Sequence, residues 1–328
     1  MNWGIIGLGY MSKQFASSIN ELNSNYLLAI SSNSFFRLLK FGLRHKIKLK
    51  YQFSNYEDIL SCKDVNNIYI STTNNTHHDL IIRCIEAKKN VLCEKPFVMN
   101  YEQAKNIKDK LNKSGILFLE GIAYRSHPQI NNVIDLIKKN SIGKVLKIVS
   151  SFGLNKGRSK KNKRLFNKDL GGGSILDLGC YPSSLSILIA RLISDKLIKE
   201  IKLSNTERYI GPTDVDLEAF TNLIFLDQFT AKIGSSFKSD LGKETKIFGS
   251  KGKIIIPDTW HCENSKIIMN GKEFLIKNKY KSIFSYEIES ISNSIINNNL
   301  NPDYPAINRK DTEININILD RWINQNEK

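Results

Sequence analysis

Two separated segments of the chain carry side chains that could move a proton. A triple glycine at 171–173 leads into Asp177, and Tyr181 follows Asp177 by four residues. In a helix this spacing places a carboxylate and a phenol on one face, about one turn apart. Lys95, which stands immediately before a proline, supplies a cation. Together the three groups form a proton relay suited to oxidising an alcohol or reducing a ketone, so Lys95, Asp177 and Tyr181 are the catalytic candidates.

Each of these residues also has an ordinary structural explanation. A tyrosine on an apolar helix often packs into a core, a lysine before a proline often lies on the surface, and the helix dipole favours an acid in a first turn. In the catalytic interpretation Tyr181 is the general acid/base, and the Lys95 ammonium lowers its pKa from the usual value of about 10 and polarises the substrate oxygen. Asp177 then orients the relay or a substrate hydroxyl.

The first twelve residues predict a nucleotide site. A short apolar strand at 2–6 is followed by Gly7-Leu8-Gly9 and by a helix predicted over 11–20. Glycines allow the tight turn and let a pyrophosphate approach the backbone N–H groups at the positive end of the helix. Ser12 replaces the third glycine of the full fingerprint. A plain strand–helix turn is the alternative, but the position at the start of a strand–helix–strand pattern favours nucleotide binding.

The end of the second predicted strand indicates which dinucleotide binds. NAD enzymes usually place an acid there for the ribose hydroxyls, whereas this chain has none between Glu21 and Glu57. Ser32, Asn33 and Arg37 stand there instead, and they could hydrogen bond and pair with a 2′-phosphate. NADP(H) is therefore favoured and NAD(H) is the alternative. A merely solvated Arg37 is the competing explanation.

The order of the predicted elements indicates an α/β protein of two domains. Strands alternate with helices over the first 120 residues, which predicts a doubly wound parallel sheet, the Rossmann arrangement. Five longer strands follow, the last over 245–256, with a helix over 175–192 and two more over 283–297 and 309–325. We expect a Rossmann domain at 1–121 and an α+β domain at 122–328 with a large, open, mostly antiparallel sheet. The last helices are candidates to pack back on the first domain.

Composition excludes several classes of protein. The 328 residues, of which 41% are hydrophobic, suffice for two domains with sizeable cores. There is no run of eighteen apolar residues and no signal-peptide pattern at the start, so we expect no membrane span and a cytoplasmic location. Five scattered cysteines without a CxxC pair favour buried thiols over a disulfide framework. No His, Asp or Glu spacing predicts a metal site.

The net charge of +16 raises the question of a nucleic-acid partner. The basic residues accompany many Asn and Ile, however, and A- and T-rich codon usage explains that combination. The densest basic cluster has no aromatic residue before Phe166 on which a base could stack, so we interpret it as a solvated loop and expect no nucleic-acid partner. Lys168 of this cluster is a candidate contact to a phosphate-bearing ligand. The members are Lys156, Arg158, Lys160, Lys161, Lys163, Arg164 and Lys168.

These pieces, in this order, resemble the Gfo/Idh/MocA oxidoreductases, the family of glucose–fructose oxidoreductase and inositol dehydrogenase. The resemblance covers essentially the whole chain and rests on Gly7-Leu8-Gly9 and the segments 72–77, 87–96, 171–181 and 247–252. Most members have a histidine where this chain has Tyr181. The tyrosine and the segment 120–128 resemble the branch with glucose–fructose oxidoreductase and dimeric dihydrodiol dehydrogenase, which often uses NADP(H). Asn33 departs from that branch, whose NADP-using members often have arginine there.

The resemblance implies a nicotinamide bound near Lys95, Asp177 and Tyr181, and a sheet domain that often forms a dimer interface. A homodimer or homotetramer through the C-terminal sheet is therefore expected. With the glycine turn, the resemblance assigns the cofactor contacts. They are Gly7, Gly9, Tyr10, Met11, Ser32, Asn33, Arg37, Thr72, Asn74, His77, Glu94 and Lys95.

The resulting functional prediction is hydride transfer between nicotinamide and a secondary alcohol or ketone. The expected substrate is a sugar, a polyol or a nucleotide sugar, with Arg125, His127 and Lys168 as candidate contacts. A structural salt bridge is the alternative for Arg125. A dihydrodiol or bile-pigment reductase on the same scaffold is one alternative function, and a non-catalytic dinucleotide-binding regulator is another.

Overall fold

A computed structural model of the protein describes residues 1–156, 160–226 and 228–325, with 160–162 described by their backbone alone. The chain divides into two compact units. The first comprises Met1–Val98, Glu102–Ser126 and Tyr280–Arg309, and the second comprises the remaining described residues. The division therefore falls after Ser126, five residues beyond the expected limit at 121, and the 280–309 segment belongs to the first unit.

The first unit contains a six-stranded sheet in which every pairing between the named strands is parallel. The strand order is β3-β2-β1-β4-β5-β6, which is a doubly wound order and confirms the predicted doubly wound parallel sheet. The central strands are buried on both faces, which explains why they read as continuous apolar runs. The strands are β1 (Asn2–Ile6), β2 (Tyr26–Ser31), β3 (Gln52–Phe53), β4 (Asn67–Ile70), β5 (Asn90–Glu94) and β6 (Phe118–Gly121).

The described chain has nine α-helices, and several of them begin at a side chain that accepts a backbone N–H. Ser34, Asn55 and Ser282 do so for the helices that begin at Phe35, Tyr56 and Ile283. The helices are α1 (Tyr10–Ser18), α2 (Phe35–Arg44), α3 (Tyr56–Ser61), α4 (Asn74–Glu86), α5 (Tyr101–Ser114), α6 (Pro128–Lys138), α7 (Cys180–Ile193), α8 (Ile283–Ile296) and α9 (Arg309–Asn324).

The second unit contains an eight-stranded sheet of order β14-β13-β12-β11-β7-β10-β9-β8. Its β7–β10 pairing is parallel and its other strand pairings are antiparallel, so the predicted mostly antiparallel sheet is confirmed. Helix α7 packs on β7 and β10 and is apolar and buried along most of its length. The strands are β7 (Val145–Gly153), β8 (Ile201–Ile210), β9 (Asp216–Phe225), β10 (Phe229–Ser236), β11 (Thr245–Gly249), β12 (Gly252–Ile256), β13 (Lys266–Met269) and β14 (Lys272–Leu275).

Two predicted elements of this unit are wrong in detail. The single strand expected over 245–256 is an antiparallel hairpin, because residues 250–251 turn the chain and Gly249 pairs with Gly252. The helix expected from residue 175 begins as a π-helix over Ile175–Gly179 and becomes α-helical only at Cys180. A four-residue spacing is therefore less than one turn at its start.

One helical stretch, Lys168–Ile193, is long and apolar enough to cross a membrane by length and composition. Of the most apolar 18-residue segment in this stretch, 83% is buried inside the protein, which is typical of the core helix of a globular unit.

Candidate active site

The glycine turn after β1 is built so tightly that its first position requires glycine. Gly7 has φ = +92°, and its N–H donates to the Ser31 carbonyl at 3.1 Å. A Cβ at this position would lie 2.7 Å from Thr72 Cγ2 and 2.9 Å from the Ser71 backbone. The turn is therefore fixed against the loop that follows β4.

Gly9 has no such internal requirement. Its φ of −97° is open to any residue, and an added Cβ would meet nothing closer than the Ser71 carbonyl oxygen at 3.9 Å. No side chain caps α1, and its first turn carries no acid. Ser12 is buried and donates to the Gly9 carbonyl at 2.8 Å. The space above Gly9 and the uncapped N–H groups of α1 fit a pyrophosphate.

The predicted cofactor residues follow the carboxyl ends of β1, β2, β4 and β5, which are neighbours in the sheet. Ser32 is buried and accepts the Ser34 N–H at 3.2 Å, while Asn33 and Arg37 are exposed beside the N-terminus of α2. Tyr10 is 72% exposed in the first turn of α1, where Met11 is half-buried. Exposed polar groups at the end of β2 are available to a ribose or its phosphate.

The loop after β4 is tied to the Glu94-Lys95-Pro96 segment. His77 is fully buried, and its Nδ1 lies 2.9 Å from the Pro96 carbonyl oxygen. Asn74 is buried at the start of α4, and Thr72 and Lys95 are half-buried. This contact gives His77 a positioning role for the loop that bears Lys95.

Three buried carboxyl groups lie behind that loop, and the sequence does not reveal their association. Glu94 accepts a hydrogen bond from the Tyr69 phenol, and Glu120 Oε1 accepts the Phe97 N–H at 3.2 Å. Glu287 of α8 is 2% exposed, and its Oε1 has no hydrogen-bond partner within the described chain. The pKa of Glu287 is raised well above its usual value, mainly by burial and to a smaller extent by the charges of Glu94 and Glu120.

We expect Glu287→Gln to stabilise the protein at alkaline pH. A carboxyl whose pKa is raised by folding stabilises the folded state below its unfolded pKa, and this stability is lost as the pH rises toward the folded pKa. The variant and the wild type should unfold alike near pH 4.5. At pH 9 the variant should be the more stable of the two, because the wild type must then either ionise a buried carboxyl or hold it protonated against the pH. Thermal unfolding across this range tests it.

Glu289→Gln is the matched control for this comparison. Glu289 lies on the same helix but accepts the Tyr280 hydroxyl at 2.7 Å, so its replacement should give no pH-dependent gain. A constant difference between Glu287→Gln and the wild type from pH 4.5 to pH 9 would contradict the buried, protonated state of Glu287.

In the second unit the triple glycine forms the turn before the π-helix. Gly171 and Gly173 have φ of +70° and +112°, respectively. Asp177 is buried in the π-helix, and its Oδ1 lies 3.5 Å from an Arg164 guanidinium nitrogen. Arg164 belongs to the predicted basic cluster, of which residues 157–162 lie outside the described side chains. The cluster thus contributes a cation to Asp177, a contact that the sequence analysis did not assign.

Tyr181 lies among aromatic rings that sequence reasoning missed. Its ring meets that of Phe152 edge-on at 5.3 Å between centroids, and that of Trp260 at 5.8 Å. Phe152 also contacts the His261 ring at 5.6 Å. Trp260 is fixed by its indole N–H, which donates to the Ser151 carbonyl at 3.0 Å, whereas Tyr181 and His261 are half-buried. The Trp-His pair after a strand and a proline is the sequence signal that could have marked this cluster.

The predicted substrate contacts have structural partners of their own. Arg125 is buried, and its Nε donates to the Pro305 carbonyl at 2.7 Å. His127 is buried and accepts the Gln129 N–H at the start of α6, and burial lowers the pKa of His127 to about 4. Lys168 pairs with Asp214 on the surface. A substrate-binding role for these residues stays a prediction.

The described residues contain no group of three His, Cys, Asp or Glu side chains that could hold a metal ion. The five cysteines are free, and four of them are buried, with Cys62 half-buried. Burial raises the pKa values of Cys84 and Cys93, which keeps these thiols protonated near neutral pH.

Comparison with known proteins gives a consistent result over both parts of the chain. Residues 1–122 match the oxidoreductase family with an NAD-binding Rossmann fold, and residues 130–255 match the GFO/IDH/MocA C-terminal domain. The trans-1,2-dihydrobenzene-1,2-diol dehydrogenase of Xenopus tropicalis is 27% identical over 98% of this chain and 97% of its own.

Two solved structures show the same fold. An aldose–aldose oxidoreductase from Caulobacter crescentus has a TM-score of 0.85 at 23% identity. A 3-ketoreductase from Actinomadura kijaniata, in complex with NADP and TDP-benzene, has a TM-score of 0.84 at 19% identity. Each comparison covers 98% of this chain and 96% of the other.

Proposed function

This chain belongs to the Gfo/Idh/MocA family of NAD(P)-dependent oxidoreductases, and we propose that it interconverts a secondary alcohol and a ketone on a sugar, polyol or nucleotide sugar. The observation that carries the proposal is the glycine turn, in which Gly7 is required by the fold and Gly9 by nothing within it. A glycine that the fold itself does not require is consistent with a ligand that approaches the backbone closely at that position. The nicotinamide, when bound, exchanges the hydride with the substrate carbon.

In this proposal Tyr181 exchanges the proton with the substrate oxygen. The contacts of its ring with Phe152 and Trp260 support this role, because they restrict the side chain to a narrow set of orientations. Asp177 orients a substrate hydroxyl or the relay, and its Oδ1 lies 3.5 Å from the Arg164 guanidinium. Lys95 polarises the substrate oxygen, as the family resemblance implies. General acid–base catalysis of this kind contributes about 10²–10⁴-fold to a rate.

A ring-shaped substrate is supported by the half-buried ring of Tyr181, which the buried rings of Phe152 and Trp260 hold in place. Aromatic rings pack well against the C–H faces of a sugar or a cyclic diol. Lys163 and Lys168 lie exposed in the segment that leads to the triple glycine, which favours an anionic substrate such as a nucleotide sugar. The similarity to dihydrodiol dehydrogenases supports a cyclic trans-diol as the second candidate substrate.

NADP(H) is the dinucleotide that we propose. At the end of β2 the exposed groups are Asn33 and Arg37, with no acid to repel a 2′-phosphate. We expect Arg37→Ala to weaken NADPH binding by about 10–100-fold, the worth of a charge-assisted hydrogen bond, and to leave NADH binding within about twofold. Calorimetric titration with both dinucleotides measures the effect.

Lys40→Ala is the control, since Lys40 is exposed on the same helix about one turn further on. An equal loss of NADPH and NADH affinity in Arg37→Ala would count against a 2′-phosphate contact. A preference for NADH in the wild type would do so as well.

We further propose that the protein forms a homodimer or homotetramer through the open face of the second sheet. One face of this sheet carries the half-buried apolar side chains of Val149, Phe220 and Phe248, with Lys232 and Lys246 beside Val149 on the neighbouring strands. The opposite face packs on α7. Light scattering of the wild type and of Phe220→Asp tests this, since an aspartate there should shift the mass toward the monomer.

The experiment that tests the function combines binding and turnover. The purified protein is titrated with NADPH and NADH and is then assayed against keto-sugars, nucleotide sugars and a trans-dihydrodiol. Turnover of one substrate class supports the enzyme. Tight dinucleotide binding with no turnover of any class favours the non-catalytic regulator, and the absence of binding refutes the proposal.

A further inference from the structure

Asp216, the first residue of β9, holds the turn that leads to the proposed catalytic residues. Its side chain is buried, and its Oδ2 accepts hydrogen bonds from the Ser174 hydroxyl and from the Ile175 N–H, both at 2.7 Å. Ser174 lies 3.1 Å from the Ser235 hydroxyl of β10. The carboxylate thus caps the start of the π-helix from a strand 41 residues further along the chain.

The triple glycine is shaped around the same carboxylate. A Cβ on Gly173 would lie 2.5 Å from Asp216 Oδ1, and Gly173 has φ = +112°. A Cβ on Gly172 would lie 2.6 Å from the Leu165 carbonyl oxygen. The second and third glycines therefore let the chain pass between Asp216 on one side and the 164–167 segment on the other.

The capped turn leads directly to Asp177 and Tyr181. The Asp177 N–H donates to the Gly173 carbonyl at 3.2 Å, so the position of Asp177 depends on that of Gly173. We propose that Asp216 is a positioning residue that fixes the 171–174 turn and, through it, Asp177 and Tyr181 for proton transfer. The part of this inference that concerns proton transfer rests on the proposed function.

The charged groups around Asp216 already pair with other partners. Asp214, two residues before Asp216 in the sequence, pairs with Lys168. Arg164 pairs with Asp177, and Glu218 accepts the Ser236 hydroxyl from the neighbouring strand β10. On the adjacent strand β8, Tyr209 lies under Lys238. Asp216 is therefore bound to the turn by hydrogen bonds to neutral donors.

Burial raises the pKa of Asp216 from 3.8 to about 6, against the lowering effect of the hydrogen bonds that it accepts. If opening of the turn exposes the carboxyl to water, its pKa falls back toward 3.8, so protonation favours the closed turn. The closed turn should therefore become more stable by about tenfold as the pH falls from 7.5 to 5. Asparagine, which cannot ionise, should remove this dependence.

Hydrogen exchange of peptides spanning 171–181, corrected for the intrinsic pH dependence, tests the coupling without any substrate. The wild type should show about tenfold more protection at pH 5 than at pH 7.5, and Asp216→Asn should show a flat response. Ser174→Ala, which removes one of the two donors, should speed exchange in this segment. Asp214→Asn is the control and should leave exchange over 171–181 unchanged, since Asp214 is exposed.

The catalytic arm uses Asp216→Ala and Asp216→Asn with the substrate found in the turnover assay. Asp216→Ala should lower kcat by at least about tenfold with the affinity for NADPH unchanged, and Asp216→Asn should restore most of kcat. Should Asp216→Ala fail to fold, Ser174→Ala takes its place. The inference would be overturned if the wild type and Asp216→Asn had identical pH profiles of hydrogen exchange. It would also be overturned if kcat were unchanged in Asp216→Ala or Ser174→Ala. If the wild type turns over no substrate, the proposed function fails while the exchange data still decide the role of Asp216 in holding the turn.

Discussion

Tyr181→Phe is expected to lower kcat by about 10²–10⁴-fold while the thermal stability and the affinity for the dinucleotide stay unchanged. The change removes one oxygen and keeps the ring. The ring contacts with Phe152 and Trp260 should therefore survive, and with them the local packing. The dinucleotide residues proposed above belong to the first unit, so binding of NADPH should not change. Steady-state turnover, thermal unfolding and NADPH titration on the same preparation measure the three quantities.

Tyr209→Phe is the matched control for this variant. Tyr209 is also a tyrosine of the second unit, but it lies at the surface under the Lys238 ammonium, so loss of its hydroxyl should leave turnover within about twofold. A Tyr181→Phe variant that retains a third or more of the wild-type kcat, with stability and binding intact, would show that another group moves the proton. An equal loss of activity and of thermal stability would assign Tyr181 to the core instead.

The parts of the fold that the sequence predicts well are those fixed by local pattern. The buried strands of the first unit are continuous apolar runs, and β2 begins and ends where its apolar pattern does, at Tyr26 and Ser31. Helices α2, α3 and α6 have apolar patterns too short to predict a helix by themselves, although Ser34 and Asn55 provide recognisable caps for α2 and α3. The hairpin of β11 and β12 was missed because both strands are apolar and the turn between them is only two residues long.

The candidate site was predictable only where it depends on neighbours in sequence. The Gly7 turn, Lys95 and the 171–181 segment carry their own patterns. Asp216, Trp260 and Glu287 reach their partners from 41 to 193 residues away, and nothing in their immediate sequence specifies those contacts. The sequence also cannot distinguish a π-helical turn from an α-helical turn at Asp177, because the same apolar spacing is compatible with both.

Gly9→Ala is expected to weaken dinucleotide binding by about 5–150-fold, the cost of about 1–3 kcal/mol for an added methyl group in a packed contact. The folded protein without ligand has room for that methyl group, because nothing lies within 3.9 Å of the added Cβ and the backbone angle suits alanine. The thermal stability of the ligand-free variant should therefore stay close to that of the wild type, because the lower unfolded-state entropy of alanine offsets the preference for glycine over alanine at the N-cap position that Gly9 occupies. Calorimetric titration with NADPH and thermal unfolding without ligand test the two halves of the prediction.

Gly7→Ala separates this effect from an ordinary loss of stability. At φ = +92°, with the Ser71 backbone 2.9 Å from the added Cβ, alanine is strained in the folded state itself, so this variant should unfold at a clearly lower temperature even without ligand. The two substitutions would then act by different routes, because Gly7→Ala would lower the stability of the fold and Gly9→Ala would lower the affinity for the dinucleotide. If Gly9→Ala bound NADPH as tightly as the wild type, the space above Gly9 would not be where the pyrophosphate lies. The anion would then have to bind elsewhere along the carboxyl ends of β1, β2 and β4.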